Sequence, residues 1–332
     1  MMHPATLRDS AFALLSGLTS ESLPLPGHEV HSKEQPDVSL VILAANVPCL
    51  AAQSLLPLLS HGSAVVFKPS RREPHTARLL VESLCQVEPD LADAVAIFEQ
   101  PEGSSIDLDS SLPDRVVVYG QDATVSDVRK RFSGVQSANI SEQGHSWSLV
   151  YLDSSCIDSS TLAAVARDIA RFDQRGCLCP HVVITSASAQ SLVLGLGEAL
   201  CKVADELPAT MSPSTLATLR QVRDTAVAAG LPVAKQPLDT GLVAAQSTEE
   251  AIEESPGGRC VRVFGGVSLD QLIERLKPLS AEIQSLALAV STSSTGSARA
   301  TVQAIGIDRV IEPGLMHAPD FTWVAQQLGL RG

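Results

Sequence analysis

VSLVILAANVP, residues 38–48, is the stretch on which the fold turns. Val38–Ala44 is a short apolar run closed by the turn AANVP, the pattern of a strand buried on both faces in a parallel sheet. Downstream, CLAAQSLLPLL (49–59) has a helical period, with Pro57 falling near its end. SAVVFK (63–68) reads as a second strand and HTARLLVESLCQV (75–87) as an amphipathic helix. AVAIFE (94–99) and DRVVVYG (114–120) read as further strands. Strands alternating with helices predict right-handed βαβ units and a mostly parallel sheet. Upstream, residues 1–36 carry one expected helix, Ala11–Leu18, and then a stretch rich in Pro, Gly and His.

A second α/β unit follows. SLVYLD (148–153) and HVVIT (181–185) flank an expected helix, Ser160–Phe172. Helices are expected near Ala189–Glu206 and Ser212–Gly230. RCVRVFG (259–265), LALAV (286–290) and DRVI (308–311) read as strands, separated by helices at Leu269–Lys277 and Ser297–Gly306. The chain of 332 residues thus divides into a lead-in (1–36), two α/β domains (37–147 and 148–310) and a C-terminal segment (311–332).

Composition narrows the function. At 45% hydrophobic and 18% charged residues the chain has ample core material, and disorder is excluded as its main state. With 24 Lys and Arg against 37 Asp and Glu, the net charge of −13 repels phosphate backbones and anionic membranes, which argues against a nucleic-acid partner. The longest apolar stretch, Val38–Leu59, is broken by Asn46, Pro48, Gln53 and Pro57, so no membrane span is expected. Seven scattered cysteines are not a disulfide framework, and the N-terminus lacks a basic region leading into an apolar run. Together these features predict a cytoplasmic protein.

Several loops could carry chemistry. In FDQRGCLCPH (172–181) a cysteine follows a helix end at once, where exposure and backbone N–H groups lower a thiol's pKa and make it a nucleophile. The alternative is two buried structural cysteines. Cys177, Cys179 and His181 make a poor structural zinc set without a second ligand pair, and no metal is expected. Asn46, at the end of the first strand, could donate its amide to a developing oxyanion, or could simply be a turn residue before Pro48. FKPSRRE (67–73) gathers Lys68, Arg71 and Arg72 at a strand's carboxyl end, which suits a phosphate or ribose. Gly120, before Gln121, allows close backbone approach. GLG at 195–197 lies inside a helical pattern and is not a nucleotide loop.

In this order the elements resemble the aldehyde dehydrogenase superfamily, and more closely its acyl-CoA reductases, which include the fatty-acyl reductase of bacterial bioluminescence. The resemblance rests on NVP (46–48), GSAVVFKPSRREPHTA (62–77), DRVVVYGQDATV (114–125), DIARFDQRGCLCPHVV (168–183) and GIDRVIEPGLMHAP (306–319). It implies an aldehyde-dehydrogenase-like α/β fold, N-terminally shortened, with a Rossmann-like cofactor domain (37–147) and an α/β catalytic domain (148–310). It further implies that Cys177 is the nucleophile, Asn46 the oxyanion donor, Lys68 and Ser70 contacts to the adenosine ribose, and Gly120 and Gln121 a turn near the pyrophosphate. Where many superfamily members have a glutamate, this sequence has Arg71, which points to NADPH. The stretch matching the general-base motif of aldehyde-oxidising members is SEQGHS (141–146), offering Ser141 or Glu142. A missing base fits a reductase, because no water must attack. The expectation is therefore NADPH-dependent reduction of an acyl thioester, carried by CoA or protein, in a homo-oligomer or a reductase complex. The alternatives are an acyl-phosphate reductase, which the Leu178 after the cysteine disfavours, and an inactive subunit.

Overall fold

A computed structural model describes residues 2–18, 37–98, 113–135 and 139–330. The Pro-, Gly- and His-rich stretch ending at residue 36, and Glu99 at the end of an expected strand, lie outside the described residues. The chain forms two compact units, Leu14–His145 with Ala318–Gly332, and Met1–Ala13 with Ser146–His317. Unlike the linear division expected from sequence, each unit also takes a piece from a chain end.

The helix α1 (Pro4–Leu18) begins earlier than its expected start at Ala11. Its proline occupies the first helical position, where the missing N–H costs nothing. The polar Thr6 and Ser10 hid the helical period, yet both are buried, and Ser10 Oγ donates to the Thr6 carbonyl at 2.7 Å.

The five-stranded unit follows as β1 (Val38–Ile42), α2 (Leu50–Ser60), β2 (Ala64–Lys68), α3 (Thr76–Val87), β3 (Val95–Ile97), β4 (Arg115–Tyr119), α4 (Asp122–Arg131) and β5 (Ile140–Gln143). Its strands are all parallel, in the order β3-β2-β1-β4-β5. This is the doubly wound order, and its switch point, where connections leave in opposite directions, lies between β1 and β4. Leu40, Val41, Ile42 and Val116–Val118 are buried, as a sheet covered on both faces requires. α4 and β5 were not evident in the sequence. DATVSDVRKR has a narrow apolar stripe, Val125 and Val128, and ISEQ is a short polar strand at the sheet edge.

The six-stranded unit comprises β6 (Trp147–Leu152), α5 (Ser159–Ala170), β7 (Pro180–Thr185), α6 (Ala189–Glu206), α7 (Pro213–Ala228), β8 (Leu242–Ala245), β9 (Cys260–Phe264), α8 (Leu269–Leu276), β10 (Ile283–Ala289), α9 (Thr295–Gln303) and β11 (Val310–Ile311). The strands again run parallel, in the order β11-β10-β6-β7-β9-β8. Side-chain caps start the helices as the sequence invites: Asp158 accepts from the Thr161 N–H, and Ser268 and Gln271 form a capping box on α8. GLG lies within α6, where a Cβ at Gly197 would come 2.5 Å from that of Ala234; these glycines serve close packing. A last helix, α10 (Phe321–Gln327), belongs to the five-stranded unit. Arg115 there donates to the Leu328 carbonyl (2.9 Å) and Ser141 to that of Gln327 (2.7 Å).

Candidate functional site

In the five-stranded unit, five of the residues singled out by sequence gather at the carboxyl ends of strands, and Asn46 follows in the turn after β1. Asn46 is exposed. Lys68 ends β2, followed by Ser70 and the exposed Arg71. Gly120 and Gln121 lie between β4 and α4, with Gln121 at the N-cap position of the helix, without a side-chain cap bond, and the helix's first N–H groups facing that turn. β1 and β4 are the strands flanking the switch point, where open α/β sheets bind ligands. A Cβ on Gly120 would meet Thr124 at 3.1 Å, so this position favours glycine for the first turn of α4 itself. Lys68 is half-buried, and its ammonium is held below its ordinary pKa, first by desolvation and then by the neighbouring cations Arg71 and Arg131. That local positive field stands out in a chain of net charge −13. The nearby Glu73 is engaged by α3, accepting from the backbone of His75 (3.2 Å) and Thr76 (3.0 Å).

The two candidates for a general base are also engaged. Ser141 bonds α10, as above. Glu142 receives both guanidinium arms of Arg129, Nε at 2.6 Å, and this hydrogen bonding holds its carboxyl below the usual range.

Cys177 lies in the six-stranded unit, just before β7 at the amino edge of the sheet. α5 ends at Ala170, and then Phe172, Asp173 and Gln174 adopt left-handed backbone with φ of 52°, 49° and 58°. Such a residue costs about 1–2 kcal/mol without glycine, so three in succession persist only where the surroundings impose them. Here they do. The Phe172 N–H is bonded by Ser10 Oγ at 3.0 Å. Asp173 pairs with the buried Arg259, Nη2 at 2.7 Å, and Arg259 Nη1 donates to the Leu207 carbonyl at 2.7 Å. Gln174 Nε2 donates to the carbonyls of Pro180 and Cys260, both at 2.7 Å. Asp173 and Gln174 also line a cavity of about 520 Å³ with His181, Glu254 and Arg259.

The turn separates the two cysteines. The Cys179 N–H bonds the Gly176 carbonyl at 3.0 Å, leaving Cys177 exposed and Cys179 buried. Cys179 Sγ accepts the Gly176 N–H at 3.4 Å, and burial pushes its thiol far up. A register shift between Ser148 and Leu149, opposite Pro180 and Val182, brings the Ser148 hydroxyl to the Cys177 carbonyl at 2.7 Å. The Cys177 residue is open at the surface, but its sulfur is crowded by protein atoms, and desolvation raises its pKa. This corrects the sequence expectation of a lowered thiol pKa. Four groups oppose the rise: the Arg309 guanidinium, the N–H groups of Cys177 and Leu178, and the Ser146 hydroxyl. Arg309 and Ser146 lay in quoted stretches of sequence, but nothing local marked them as neighbours of the cysteine. The strained turn had no signal either, since it contains no glycine.

His181 is buried, with Nδ1 2.9 Å from Ser255 Oγ and Nε2 3.6 Å from Glu254. Among the described residues no cluster of His, Cys, Asp or Glu could hold a metal ion, and no helix is long and apolar enough to cross a membrane.

Residues 24–323 match the acyl-CoA reductase (LuxC) family. A long-chain acyl-protein thioester reductase of Vibrio harveyi is 24% identical over 283 residues, covering 82% of this chain and 58% of that protein. One of Aliivibrio fischeri is 26% identical over 159 residues, covering 46% of this chain and 33% of its own. The chain thus spans less than two thirds of these relatives' length. Among solved structures, the indole-3-acetaldehyde dehydrogenase AldA of P. syringae, in complex with NAD+ and IAA, superposes with a TM-score of 0.62 at 16% identity, over 83% of this chain and 60% of its own. An NAD-dependent benzaldehyde dehydrogenase from Corynebacterium glutamicum gives 0.62 at 17% identity, over 88% and 66%. The fold is that of the aldehyde dehydrogenases.

Proposed function

Because the chain belongs to the acyl-CoA reductase (LuxC) family, we propose that it reduces an acyl thioester to an aldehyde through an acyl-enzyme on Cys177, using NADPH. The observation that carries this reading is the setting of Cys177: an open cysteine whose thiol, raised by desolvation, has two backbone N–H groups, a serine hydroxyl and a guanidinium placed to offset that rise. These donors suit a sulfur that must become an anion, and two of them are of the kind that stabilise a tetrahedral oxyanion.

Lys68, Ser70 and Arg71 would hold the adenosine ribose and its 2′-phosphate, and the Gly120–Gln121 turn with the first N–H groups of α4 would hold the pyrophosphate. The doubly wound strand order and the cation group around Lys68 fit such a ligand. When bound, the nicotinamide supplies the hydride that the acyl carbon must gain. The Cys177 thiolate attacks the thioester carbonyl, and the oxyanion takes a hydrogen bond from the Cys177 N–H; the N-x-P resemblance implies the role of a second donor for Asn46. The carrier thiolate leaves and is protonated. After reduction, the resulting hemithioacetal alkoxide re-forms its carbonyl, expelling the Cys177 sulfur as thiolate and releasing the aldehyde. We place the reaction in the cytoplasm, where cysteines stay reduced, and in a homo-oligomer or reductase complex.

The test is NADPH consumption with acyl-CoA thioesters across a range of chain lengths, alongside mass spectrometry of protein incubated without cofactor. Consumption together with an acyl adduct on Cys177 supports the reading. No consumption and no adduct with any chain length overturns it.

A further inference from the structure

We propose that Ser10 is a positioning residue for Cys177, and that the N-terminal helix acts as the strap that holds the nucleophile's turn in its left-handed form. The inference rests on Cys177 being the nucleophile. It starts from one exchange of hydrogen bonds. A helix continuing past Ala170 would give the Phe172 N–H to the Asp168 carbonyl, four residues back. Instead the Asp168 carbonyl receives the His317 Nε2 proton at 2.8 Å, and the Phe172 N–H goes to Ser10 Oγ at 3.0 Å. Two side chains distant in sequence thus take over both halves of the bond that would carry α5 onward.

Ser10 is fitted for this. It is fully buried, and its hydroxyl proton is committed to the Thr6 carbonyl, so its oxygen is oriented to accept. The helix is anchored on either side of it. Asp9 Oδ2 accepts from Arg171 Nε at 2.8 Å and Asp9 Oδ1 from Arg167 Nη1 at 3.4 Å, while Thr6 Oγ1 donates to the Pro208 carbonyl at 2.7 Å. Without the Ser10 oxygen the Phe172 N–H is left buried and unpaired, and α5 gains by continuing through Phe172. That continuation unwinds the left-handed turn and swings the segment leading to Cys177. Ser10 acts through Phe172 and does not touch the reacting atoms.

The test uses the full chain carrying Ser10→Ala, Ser10→Thr or Ser10→Cys. Iodoacetamide alkylation of Cys177 is followed by mass spectrometry against pH, together with kcat and KM for an acyl-CoA and NADPH. The Ser10→Ala change is expected to displace the alkylation pH profile of Cys177 and lower kcat roughly ten- to a hundredfold, with KM for NADPH unchanged. Ser10→Thr, which keeps the oxygen, restores both. Should the alanine variant not fold, Ser10→Cys offers a weaker acceptor of similar size and is expected to give an intermediate profile. A Cys177 profile superposing on wild type in Ser10→Ala or Ser10→Cys, with only thermal stability lowered, overturns the proposal. Alkylation needs no turnover, so failure of the strap is distinguishable from failure of the reductase reading, which shows as a missing acyl adduct in the wild type.

Discussion

Arg259 buries its whole side chain against Asp173, four residues before Cys177, with Nη2 2.7 Å from Oδ1. Desolvation is the largest influence on this guanidinium and lowers its pKa; Asp173 raises it. Removing one partner of a buried pair leaves an uncompensated charge and typically costs 3–5 kcal/mol. Arg259→Leu or Asp173→Leu alone should therefore destabilise the chain by roughly that amount, measured by urea unfolding. The double variant should recover a good part of the loss. Equal or additive losses in the double would show that the pair is not the coupled unit.

The two cysteines of the turn should separate cleanly. Cys177→Ala should abolish the acyl adduct, whereas Cys179→Ser should retain it, because the Cys179 sulfur is buried against the Gly176 N–H. Since desolvation raises the Cys177 pKa, its alkylation in the free protein should accelerate as pH rises into the alkaline range. Replacing Arg309 by Met removes the largest opposing influence and should push that profile further up. An adduct persisting in Cys177→Ala, seen by peptide mass spectrometry, would refute the assignment.

Two buried groups in contact should give opposite pH slopes of stability. Burial lifts the Asp168 carboxyl from 3.8 to about 7, against the Gly314 N–H and Arg171. A carboxyl raised on folding leaves the native state with more bound protons than the unfolded, so its contribution falls as pH rises from about 4 to 7. Burial lowers His317 from 6.5 to about 3. The native state then binds fewer protons, and that contribution is lost as pH falls from about 6.5 to 3. Between pH 4 and 6.5 the two offset each other. Asp168→Asn should expose a loss of stability on acidification, and His317→Asn a loss on going from pH 4 to 7. Melting temperatures against pH check this; parallel curves for the two variants would contradict it.

Cofactor choice should follow Arg71. A charge-assisted hydrogen bond contributes about 1.5–3 kcal/mol, so Arg71→Glu should raise KM for NADPH roughly ten- to a hundredfold while leaving NADH little changed. Initial rates with both cofactors decide it, and an equal loss with both would place Arg71 elsewhere.

Much of the architecture was legible along the chain. Runs such as VSLVILA and DRVVVYG have unbroken apolar centres, Leu40–Leu43 and Val116–Val118, because parallel strands are covered on both faces, and this marked β1 and β4 and the turns beyond them. Asn46, Lys68, Arg71 and Gly120 could be named because ligand loops follow strands locally, so a strand end in sequence is also a strand end in space. The strands β5 and β8 and the helices α4 and α10 escaped, β5 and α4 because they are only weakly apolar and β8 and α10 because they are short. The surroundings of Cys177 were beyond any local reading. Its turn is left-handed without a glycine, and the groups that impose it, Ser10, Arg259 and the Cys260 carbonyl, come from positions 162 to 86 residues away. Local propensity disfavours Phe172 and Gln174 in that conformation, and even Asp173 adopts it only occasionally, so the preference of the chain itself pointed the other way. Only the folded core, where a buried N–H, carboxylate or amide must find its partner, made the strained turn the lower-energy state.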